Sequence, residues 1–259
     1  MLPREDLLKG VENREIVARV IDQAEQAIKT WEVVLTDFLS PPVLAEIQQQ
    51  FARLTQIHLL AWGGYPQAER QRLAIAREEL PLEQSQVALA ALDMAGNFLF
   101  DPATHRDFLG AMLATGLVRE KMGDIIVLGE RGAQAIVVPD IVEFLETQLT
   151  QVRSVPVKTQ RIELSELKVR EPKKKELNTT EASMRLDAIA SAGFGTSRSK
   201  MAELISSGDV RVNWKEVSQP SYIVKSGDLI AIRGKGRLIV GEVAVTKKDR
   251  YRVQLTRLI

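Results

Sequence analysis

The most informative part of the chain is the stretch from residue 185 to residue 240. It reads RLDAIASAGFGTSRSKMAELISSGDVRVNWKEVSQPSYIVKSGDLIAIRGKGRLIV. Apolar residues recur every three to four positions in its first half, which predicts two short helices separated by glycines that can end a helix. Thr196 or Ser197 can cap the second helix, which we expect to end at Gly208. Alternating residues after that glycine, and a second run from Leu229 to Arg233, predict a small β-sheet.

Basic side chains in this stretch occupy positions that helix propensity does not explain. Arg198 and Lys200 fall in the first turn of the second helix, where cations oppose the helix dipole at a cost of roughly 0.3 kcal/mol or more. A bound phosphate would offset this cost, because backbone amides, the dipole and two cations would converge on one anion. In the following strand, Arg211 and Asn213 alternate with core-facing valines, and Lys215 continues on the same parity. We therefore expect a phosphate backbone to lie along these side chains.

The order and spacing of the motifs in this stretch are specific. Arg-Leu-Asp, then Ser-Arg-x5-Leu-Ile-x2-Gly-x-Val-x-Val-Asn, then Gly-Asp-x-Ile, resembles the alpha-L RNA-binding domain over about residues 182–245. The resemblance implies that seven matching residues lie on or near the RNA-facing surface: Arg185, Ser197, Arg198, Lys200, Arg211, Asn213 and Lys215. Lys235 and Arg237, in the Gly-Lys-Gly-Arg run, complete the candidate RNA-binding set. Asp187 is interpreted as a first-turn acid rather than a catalyst.

The amino-acid composition limits the classes of protein to which the chain can belong, and its charges divide the chain into two parts of opposite sign. The 259 residues include no cysteine, which excludes disulfides, thiolate zinc sites and cysteine nucleophiles. No apolar run approaches the roughly 20 residues of a transmembrane helix, so we expect a cytoplasmic protein without membrane insertion. Residues 1–150 carry 13 basic and 22 acidic side chains, whereas residues 151–259 carry 22 and 12. Attraction to nucleic acid therefore belongs to the C-terminal part.

The part before residue 164 predicts two further units. Helical periodicity from Ile16 to Phe38, then Pro41-Pro42 and a second apolar stripe, predict a helical N-terminal unit over residues 1–56. Residues 57–163 read as one strand followed by β-α-β-β-α-β, which predicts a ferredoxin-like plait with an extra strand in front. RNA-recognition (RRM) domains share this architecture, but their base-stacking aromatic signature is missing here. The predicted fold class is α+β, with a helical unit, an RRM-like plait and an alpha-L domain.

A glycine-rich run after the first predicted strand extends the resemblance to the whole chain. Gly63-Gly64-Tyr65-Pro66-Gln67-Ala68-Glu69-Arg70, with the helices, the plait and the alpha-L module, resembles the YlmH family, including a cyanobacterial and chloroplast branch called the photosystem II alpha-L-domain protein. Its members are bacterial and plastid RNA-binding proteins, and some are implicated in binding large ribosomal subunits that hold stalled peptidyl-tRNA. The run itself predicts a strand that turns into a helix with Pro66 near its first position. Arg70 and Arg72 are further candidate contacts to RNA.

Residues 164–180 predict a charged linker before the alpha-L domain at 181–259. This segment carries Lys173-Lys174-Lys175 among glutamates, with Pro172 beside them. Such a run is usually a solvated linker, and a basic tether that adds non-specific attraction to phosphate is the second interpretation.

A search for catalytic patterns finds no credible active site. A pseudouridine synthase would need Arg-Leu-Asp followed closely by Thr and Gly, but here Arg185-Leu186-Asp187 is followed by Ala-Ile-Ala inside the RNA module. Cofactor loops of methyltransferases and phosphate-binding P-loops are also missing. His58 and His105 have no neighbouring carboxylates that suggest a metal site or a triad. We expect no catalytic residues, no metal and no cofactor.

The residues and the resemblance together favour a non-enzymatic protein that binds structured RNA, either rRNA or tRNA. The resemblance implies that it does so on the large ribosomal subunit in translation quality control. Expected partners are RNA and the ribosome, with a protein partner for the acidic residues 1–150. Two alternatives stay open: an RNA-modifying enzyme such as an rRNA pseudouridine synthase, and a photosystem assembly factor that acts through protein contacts.

Overall fold

The chain divides into two compact units, Met1–Val169 and Arg170–Ile259. The computed structural model describes residues 2–169, 173–232 and 234–258. The described helices of the first unit are α1 (Arg4–Leu7), α2 (Arg14–Thr30), α3 (Pro41–Phe51), α4 (His105–Ala114) and α5 (Val142–Gln148). Its described strands are β1 (Val34–Leu35), β2 (Ile57–Trp62), β3 (Arg72–Arg77), β4 (Ala90–Ala95), β5 (Met122–Val127), β6 (Gly132–Val137), β7 (Gln151–Val152), β8 (Val155–Pro156) and β9 (Lys158–Ile162).

The N-terminal helices pack on a three-stranded antiparallel sheet. The strands lie in the order β1-β3-β2, and apolar side chains of β2 and β3 share a core with α1, α2 and α3. The periodic stretch from Ile16 forms a helix because its apolar side chains all face this core. The helix ends at Thr30, before the predicted end at Phe38, since Trp31 takes a left-handed backbone conformation with φ of 60°. The chain then turns into β1.

Strand β2 belongs with the N-terminal helices, so the boundary predicted after residue 56 does not separate them in the structure. β2 pairs along its whole length with β3, a strand that periodicity did not predict. Residues 63–71 form a tight turn and lead directly into β3, so the helix predicted after Gly63-Gly64 is wrong. The turn requires glycine at position 63, because a Cβ there would lie 2.4 Å from the carbonyl oxygen of Arg70.

The central part of the first unit confirms the predicted ferredoxin-like plait. β4, α4, β5, β6, α5 and β9 follow in β-α-β-β-α-β order, and their strands form an antiparallel sheet in the order β5-β6-β4-β9. The extra strand predicted in front of the plait is β2, which is not part of this sheet. Phe108 and Met112 of α4 and Leu145 of α5 are fully buried in the core.

In its described residues, the second unit is a six-stranded antiparallel sheet with two helices. The helices are α6 (Leu186–Phe194) and α7 (Arg198–Ser206), and the described strands are β10 (Lys174–Glu181), β11 (Val210–Val212), β12 (Lys215–Glu216), β13 (Leu229–Ile232), β14 (Gly236–Val245) and β15 (Tyr251–Leu258). They lie in the order β10-β15-β14-β13-β11-β12. Arg233, the predicted end of the strand from Leu229, lies outside the described residues.

The last residues of the predicted linker form strand β10 instead. Lys174–Glu181 pairs with β15 along its whole length, and Leu177 packs against the core of the unit. The solvated linker predicted over residues 164–180 is therefore wrong from residue 174 onward. Its charged residues face solvent on an edge strand, which is where sheets tolerate lysine. Pro172 lies outside the described residues.

One face of the six-stranded sheet is covered by α6 and α7. The core between them is formed by alternate residues of the strands and by the apolar stripes of the two helices, among them Leu186, Ile189, Met201, Ile205, Val210, Val212, Ile230 and Leu238. Gly195 ends α6 in the left-handed conformation, as the sequence predicted. Among the residues described, no helix has the length and apolar character needed to cross a membrane.

Candidate RNA-binding surface

Asp187 joins the first turns of α6 and α7. Its carboxylate accepts hydrogen bonds from Arg185, with Nε at 3.1 Å and Nη2 at 2.9 Å, and from Nη2 of Arg198 at 3.2 Å. The Asp187 side chain is 7% exposed, whereas those of Arg185 and Arg198 are 38% and 56% exposed. The carboxylate therefore anchors both guanidiniums from inside, and each guanidinium keeps outward N–H groups for a ligand. We call these three residues the arginine cluster.

The two arginines set the charge of Asp187. Burial by itself would raise the pKa of this carboxyl, but the hydrogen bonds and positive charges of Arg185 and Arg198 outweigh it. They hold the pKa of Asp187 below its ordinary value. The carboxylate is therefore ionised at neutral pH, and the arginine cluster carries one net positive charge.

The N-terminus of α7 adds backbone donors and a further cation beside the arginine cluster. Ser197 occupies the N-cap position, and its hydroxyl oxygen accepts a hydrogen bond from the backbone N–H of Lys200 at 3.3 Å. This is the capping role that the sequence predicted. The side chain of Lys200 is exposed. The structure thus brings four predicted residues, Arg185, Ser197, Arg198 and Lys200, to the N-terminal ends of the two helices.

Arg211 and Arg237 lie on the opposite side of the sheet, which we call the outer face. Arg211 pairs with Ala231, and Ala231 pairs with Arg237. Directly opposed residues point to the same side of a sheet, and the flanking residues Val210, Val212 and Leu238 are buried towards α6 and α7. Lys174 continues the row, because Leu258 pairs with both Arg237 and Lys174. The candidate residues therefore fall into two groups on different faces.

Lys215 does not lie on the side that its parity predicted. The turn between β11 and β12 contains two residues, and Val212 pairs directly with Lys215. Lys215 therefore shares the side of core-facing Val212 rather than the side of Arg211. The alternation predicted from Arg211 fails at the turn, because a hairpin reverses the chain and resets which side each position faces.

Asn213 has a clear structural role in that turn. Its backbone φ is 48°, and asparagine tolerates this left-handed conformation better than most residues. The side-chain Oδ1 accepts a hydrogen bond from the Leu229 N–H at 2.9 Å, and Nδ2 donates to Asp228 at 2.8 Å. These bonds connect the β11–β12 turn to the start of β13. Contact of Asn213 with RNA stays a prediction.

Lys235 lies in the turn before β14, and Arg257 holds that turn in place. The Arg257 guanidinium donates to the carbonyl oxygens of Lys235 and Phe194, each at 3.3 Å, and lies 5.3 Å from the centre of the Phe194 ring. Because Phe194 is the last residue of α6, the cation also lies at the favourable end of the helix dipole. This role of Arg257 was not predicted from the sequence.

Tyr222 and Ile223 border the arginine cluster and were missed by the sequence reasoning. Ile223 forms an antiparallel bridge with Arg185, and the N–H of Leu186 donates to the carbonyl oxygen of Tyr222 at 2.7 Å. The two side chains are 41% and 55% exposed. The signal that could have identified them is an aromatic and an aliphatic residue placed together in a polar connection between two predicted strands.

Arg70 and Arg72, the candidate RNA contacts of the first unit, are occupied within the fold. Arg70 donates to the carbonyl oxygens of Met122 at 3.0 Å and Phe38 at 2.9 Å. Buried Arg72 donates to the carbonyl oxygen of Thr36 at 2.6 Å. Burial lowers the pKa of both guanidiniums. Their role in the structure is to connect segments of the first unit.

The glycine-rich run is anchored on Asp124 of β5. This carboxylate accepts hydrogen bonds from the Tyr65 hydroxyl at 2.7 Å, from the Glu69 N–H at 2.7 Å and from the Arg70 N–H at 3.0 Å. The run therefore ties the turn after β2 to the plait. The motif therefore has a structural role, although not as the start of the helix that the sequence predicted.

The two histidines lie on different elements of the first unit. A ring nitrogen of His58 on β2 contacts the carbonyl oxygen of Leu80, and His105 begins α4. Within the described parts of the chain, no group of three or more histidine, aspartate or glutamate side chains could hold a metal ion.

Three protein-family models match successive parts of the chain. The model "YlmH, N-terminal" matches residues 12–80, "Putative RNA-binding domain in YlmH" matches residues 83–166, and "S4 domain" matches residues 184–230. The S4 domain is the alpha-L RNA-binding domain. The end of the first match near residue 80 agrees with the placement of β2 and β3 beside the N-terminal helices.

Relatives and a solved structure agree with these models. "Ribosome-associated protein quality control protein P2" of Bacillus subtilis is 35% identical over 250 residues, which cover 95% of each chain. "Small ribosomal subunit protein uS4" of Albidiferax ferrireducens is 44% identical over 54 residues, 20% of this chain and 26% of that protein. "Cell division protein ylmH from Streptococcus pneumoniae" shares the fold with a TM-score of 0.54 at 18% identity, over 62% of this chain and 96% of that one. With full-length similarity and three matching models in order, the chain belongs to the YlmH family.

Proposed function

We propose that this protein binds structured RNA, either rRNA or tRNA, on the large ribosomal subunit, and that it serves translation quality control without catalysing a reaction. The observation that carries the proposal is the arginine cluster at the N-termini of two helices in an S4 domain. The guanidiniums, the first backbone amides of α7 and the dipoles of both helices would converge there on an anion. An RNA phosphate is the anion that fits an RNA-binding domain.

The relative from Bacillus subtilis supports the ribosomal part of the proposal. Its name states ribosome association and quality control, and the similarity extends over 95% of this chain. We extend both properties to this protein, which would then act in the cytoplasm, where ribosomes work. Because the similarity includes the first unit, it favours a shared role for the whole chain and not for the S4 domain alone.

Shape and phosphate contacts are expected to dominate the recognition. Double-stranded RNA offers side chains little access to its bases in the deep groove, so proteins bind it mainly through phosphates, hydroxyls and unpaired segments. The acidic residues 1–150 would repel phosphate, and we assign them contacts with a protein partner.

Sedimentation with purified ribosomal subunits tests this proposal. The full chain is expected to pellet with salt-washed large subunits, and to a much smaller extent with small subunits, at about 0.15 M salt. The double variant Arg198→Ala/Lys200→Ala is expected to lose most of this binding, because two cations leave the helix N-terminus. Equal pelleting of wild type and variant, or equal binding to both subunits, would contradict the proposal.

The absence of catalysis has its own test. Nucleosides from the rRNA and tRNA of a deletion strain and its parent are expected to show the same masses and the same modifications. A modification present in the parent and absent in the deletion strain would assign an RNA-modifying activity to the protein.

A further inference from the structure

Trp214 occupies a backbone position that disfavours tryptophan. It follows Asn213 in the two-residue turn between β11 and β12, and both residues have positive φ, 48° and 68°. This is the pattern of a type I′ hairpin turn, in which the second position strongly favours glycine. A bulky side chain in the left-handed region is an outlier that needs a reason other than the turn itself.

The Trp214 side chain is partly buried, but the described core of the second unit does not supply that reason. The described hydrophobic core between the sheet and the helices does not include Trp214, nor do the partly buried side chains that pack against it. Closure of the turn depends on Asn213, whose amide holds Asp228 and the backbone of Leu229. Glycine at position 214 would close the same turn with less steric conflict.

The charges around the turn indicate what the indole could meet. Arg211 lies two residues before the turn and Lys215 directly after it, and both are exposed. Of the acids nearby, Asp228 binds Asn213, and Glu216 lies opposite Arg211 across the hairpin, which leaves the turn itself flanked by the two cations. An aromatic ring between cations on a rigid hairpin is the combination that proteins use to stack an unpaired base while its phosphates are neutralised.

We infer that Trp214 stacks on an unpaired nucleobase of the bound RNA. This inference rests on the proposed RNA-binding function and adds to it the class of RNA element recognised, namely a loop or bulge rather than a continuous duplex. Stacking needs no particular base, because every base offers a flat aromatic face. Trp214 would thus select for RNA structure, while the arginine cluster binds phosphate.

Binding measurements on the full chain test this inference. Trp214→Gly is expected to bind unfractionated tRNA about 5- to 150-fold more weakly than wild type. Its dependence on salt should be unchanged, because stacking releases no counterions. Its thermal stability should equal or exceed that of wild type, because glycine relieves the strained turn. Loss of binding without loss of stability separates a lost contact from misfolding.

Trp31→Gly is the matched control. Trp31 also has a left-handed backbone, with φ of 60°, and is 55% exposed, but it belongs to the first unit and lies under the guanidinium of Arg77. The same substitution there is expected to leave the affinity for tRNA unchanged. An equal loss in both variants would overturn the inference, since the effect would not be specific to the hairpin.

The fluorescence of Trp214 tests the stacking independently of the affinity for tRNA. The chain has three tryptophans, so Trp31→Phe/Trp62→Phe leaves Trp214 as the sole tryptophan, which excitation at a wavelength that tyrosine does not absorb reports alone. Saturating tRNA is expected to quench this emission, and a fully paired RNA duplex to quench it much less. Unchanged emission with tRNA would overturn stacking, as would wild-type affinity of Trp214→Gly. If stacking is overturned but Arg198→Ala/Lys200→Ala binds tRNA more weakly than wild type, the proposed function stands. If that double variant binds tRNA as wild type does, the proposed function fails as well.

Discussion

A buried carboxylate between two arginines organises the N-terminal ends of α6 and α7, where we propose that phosphate binds. Asp187 fixes the planar forks of Arg185 and Arg198 before any ligand arrives, so less side-chain freedom is lost on binding. Lys200 differs, since its exposed ammonium is a mobile point charge. We therefore propose that the two arginines orient a bound phosphate and that the lysine contributes a general attraction for phosphate.

Replacing Asp187 tests this organisation through its dependence on pH. The pKa of Asp187 is lower in the folded protein than its ordinary value. Its ionised form therefore stabilises the fold above the unfolded pKa of about 3.9, and this stabilisation is lost as the pH falls through the lower folded pKa. Asp187→Asn is expected to lower the free energy of unfolding at pH 7 by about 1–3 kcal/mol. The difference from wild type should shrink in strong acid.

Urea unfolding at neutral and acidic pH provides the measurement, with Asp249→Asn as control. Asp249 is exposed in the turn between β14 and β15 at φ of 50°, a conformation that asparagine also accepts. This variant should match wild type at both pH values. If Asp187→Asn also matches wild type at pH 7, the arginine cluster does not stabilise the fold as described.

Individual residues were predictable where a local rule applied. The capping role of the Ser197 hydroxyl could be predicted from its position just before an apolar helical stripe, and in the structure this hydroxyl caps α7. The side of the sheet on which Lys215 lies could not be predicted by such a rule, because it depends on the number of residues in the turn between β11 and β12. The partnership of Asp187 with Arg198 spans two helices, and such a tertiary contact leaves no trace in local spacing.

Tight packing of the turn between β2 and β3 governs how the first unit is assembled. The turn places backbone N–H groups on Asp124 and brings the carbonyl oxygen of Arg70 against Gly63. The N-terminal sheet and the plait are therefore joined by hydrogen bonds as well as by the chain. This is the role of the Gly-Gly-Tyr-Pro run.

Gly63→Ala should destabilise this element. The added Cβ would lie 2.4 Å from the carbonyl oxygen of Arg70 and 2.6 Å from the Cβ of Ala68, and such overpacking costs about 1–3 kcal/mol. Gly110→Ala is the matched control, because no atom lies within 4 Å of its Cβ position and α4 gains up to about 1 kcal/mol from alanine. Urea midpoints followed by tryptophan fluorescence should shift in opposite directions. Equal midpoints for Gly63→Ala and wild type would refute the packing argument.

Elements with strong periodicity and clear caps were predictable, whereas strands such as β3 and β10 were not. α6 and α7 have apolar stripes bounded by serine and glycine, and the plait follows from its order of elements. β3 was missed because five of its six residues are buried, so it lacks the alternation of a half-exposed strand. β10 was missed because lysines and glutamates on an edge strand resemble a solvated linker.

The two units differ in the sign of their net charge. The excess of acid before residue 150 and of base after it was visible in the sequence, and the fold places this change near the border between the units. An acidic first unit would repel RNA that approaches it directly. We therefore expect the second unit to supply nearly all counterion release when the whole molecule binds RNA.

The salt dependence of tRNA binding by the full chain tests this central claim most directly. Arg198→Ala/Lys200→Ala should reduce the slope of log affinity against log salt by about 1.4–1.8, because each lost phosphate contact contributes about 0.7–0.9. The control Arg14→Ala/Lys29→Ala removes two exposed cations from α2 in the first unit and should leave the slope as in wild type. An unchanged slope for the α7 variant, or an equal change in both variants, would contradict binding of RNA phosphates at the helix N-termini of the second unit.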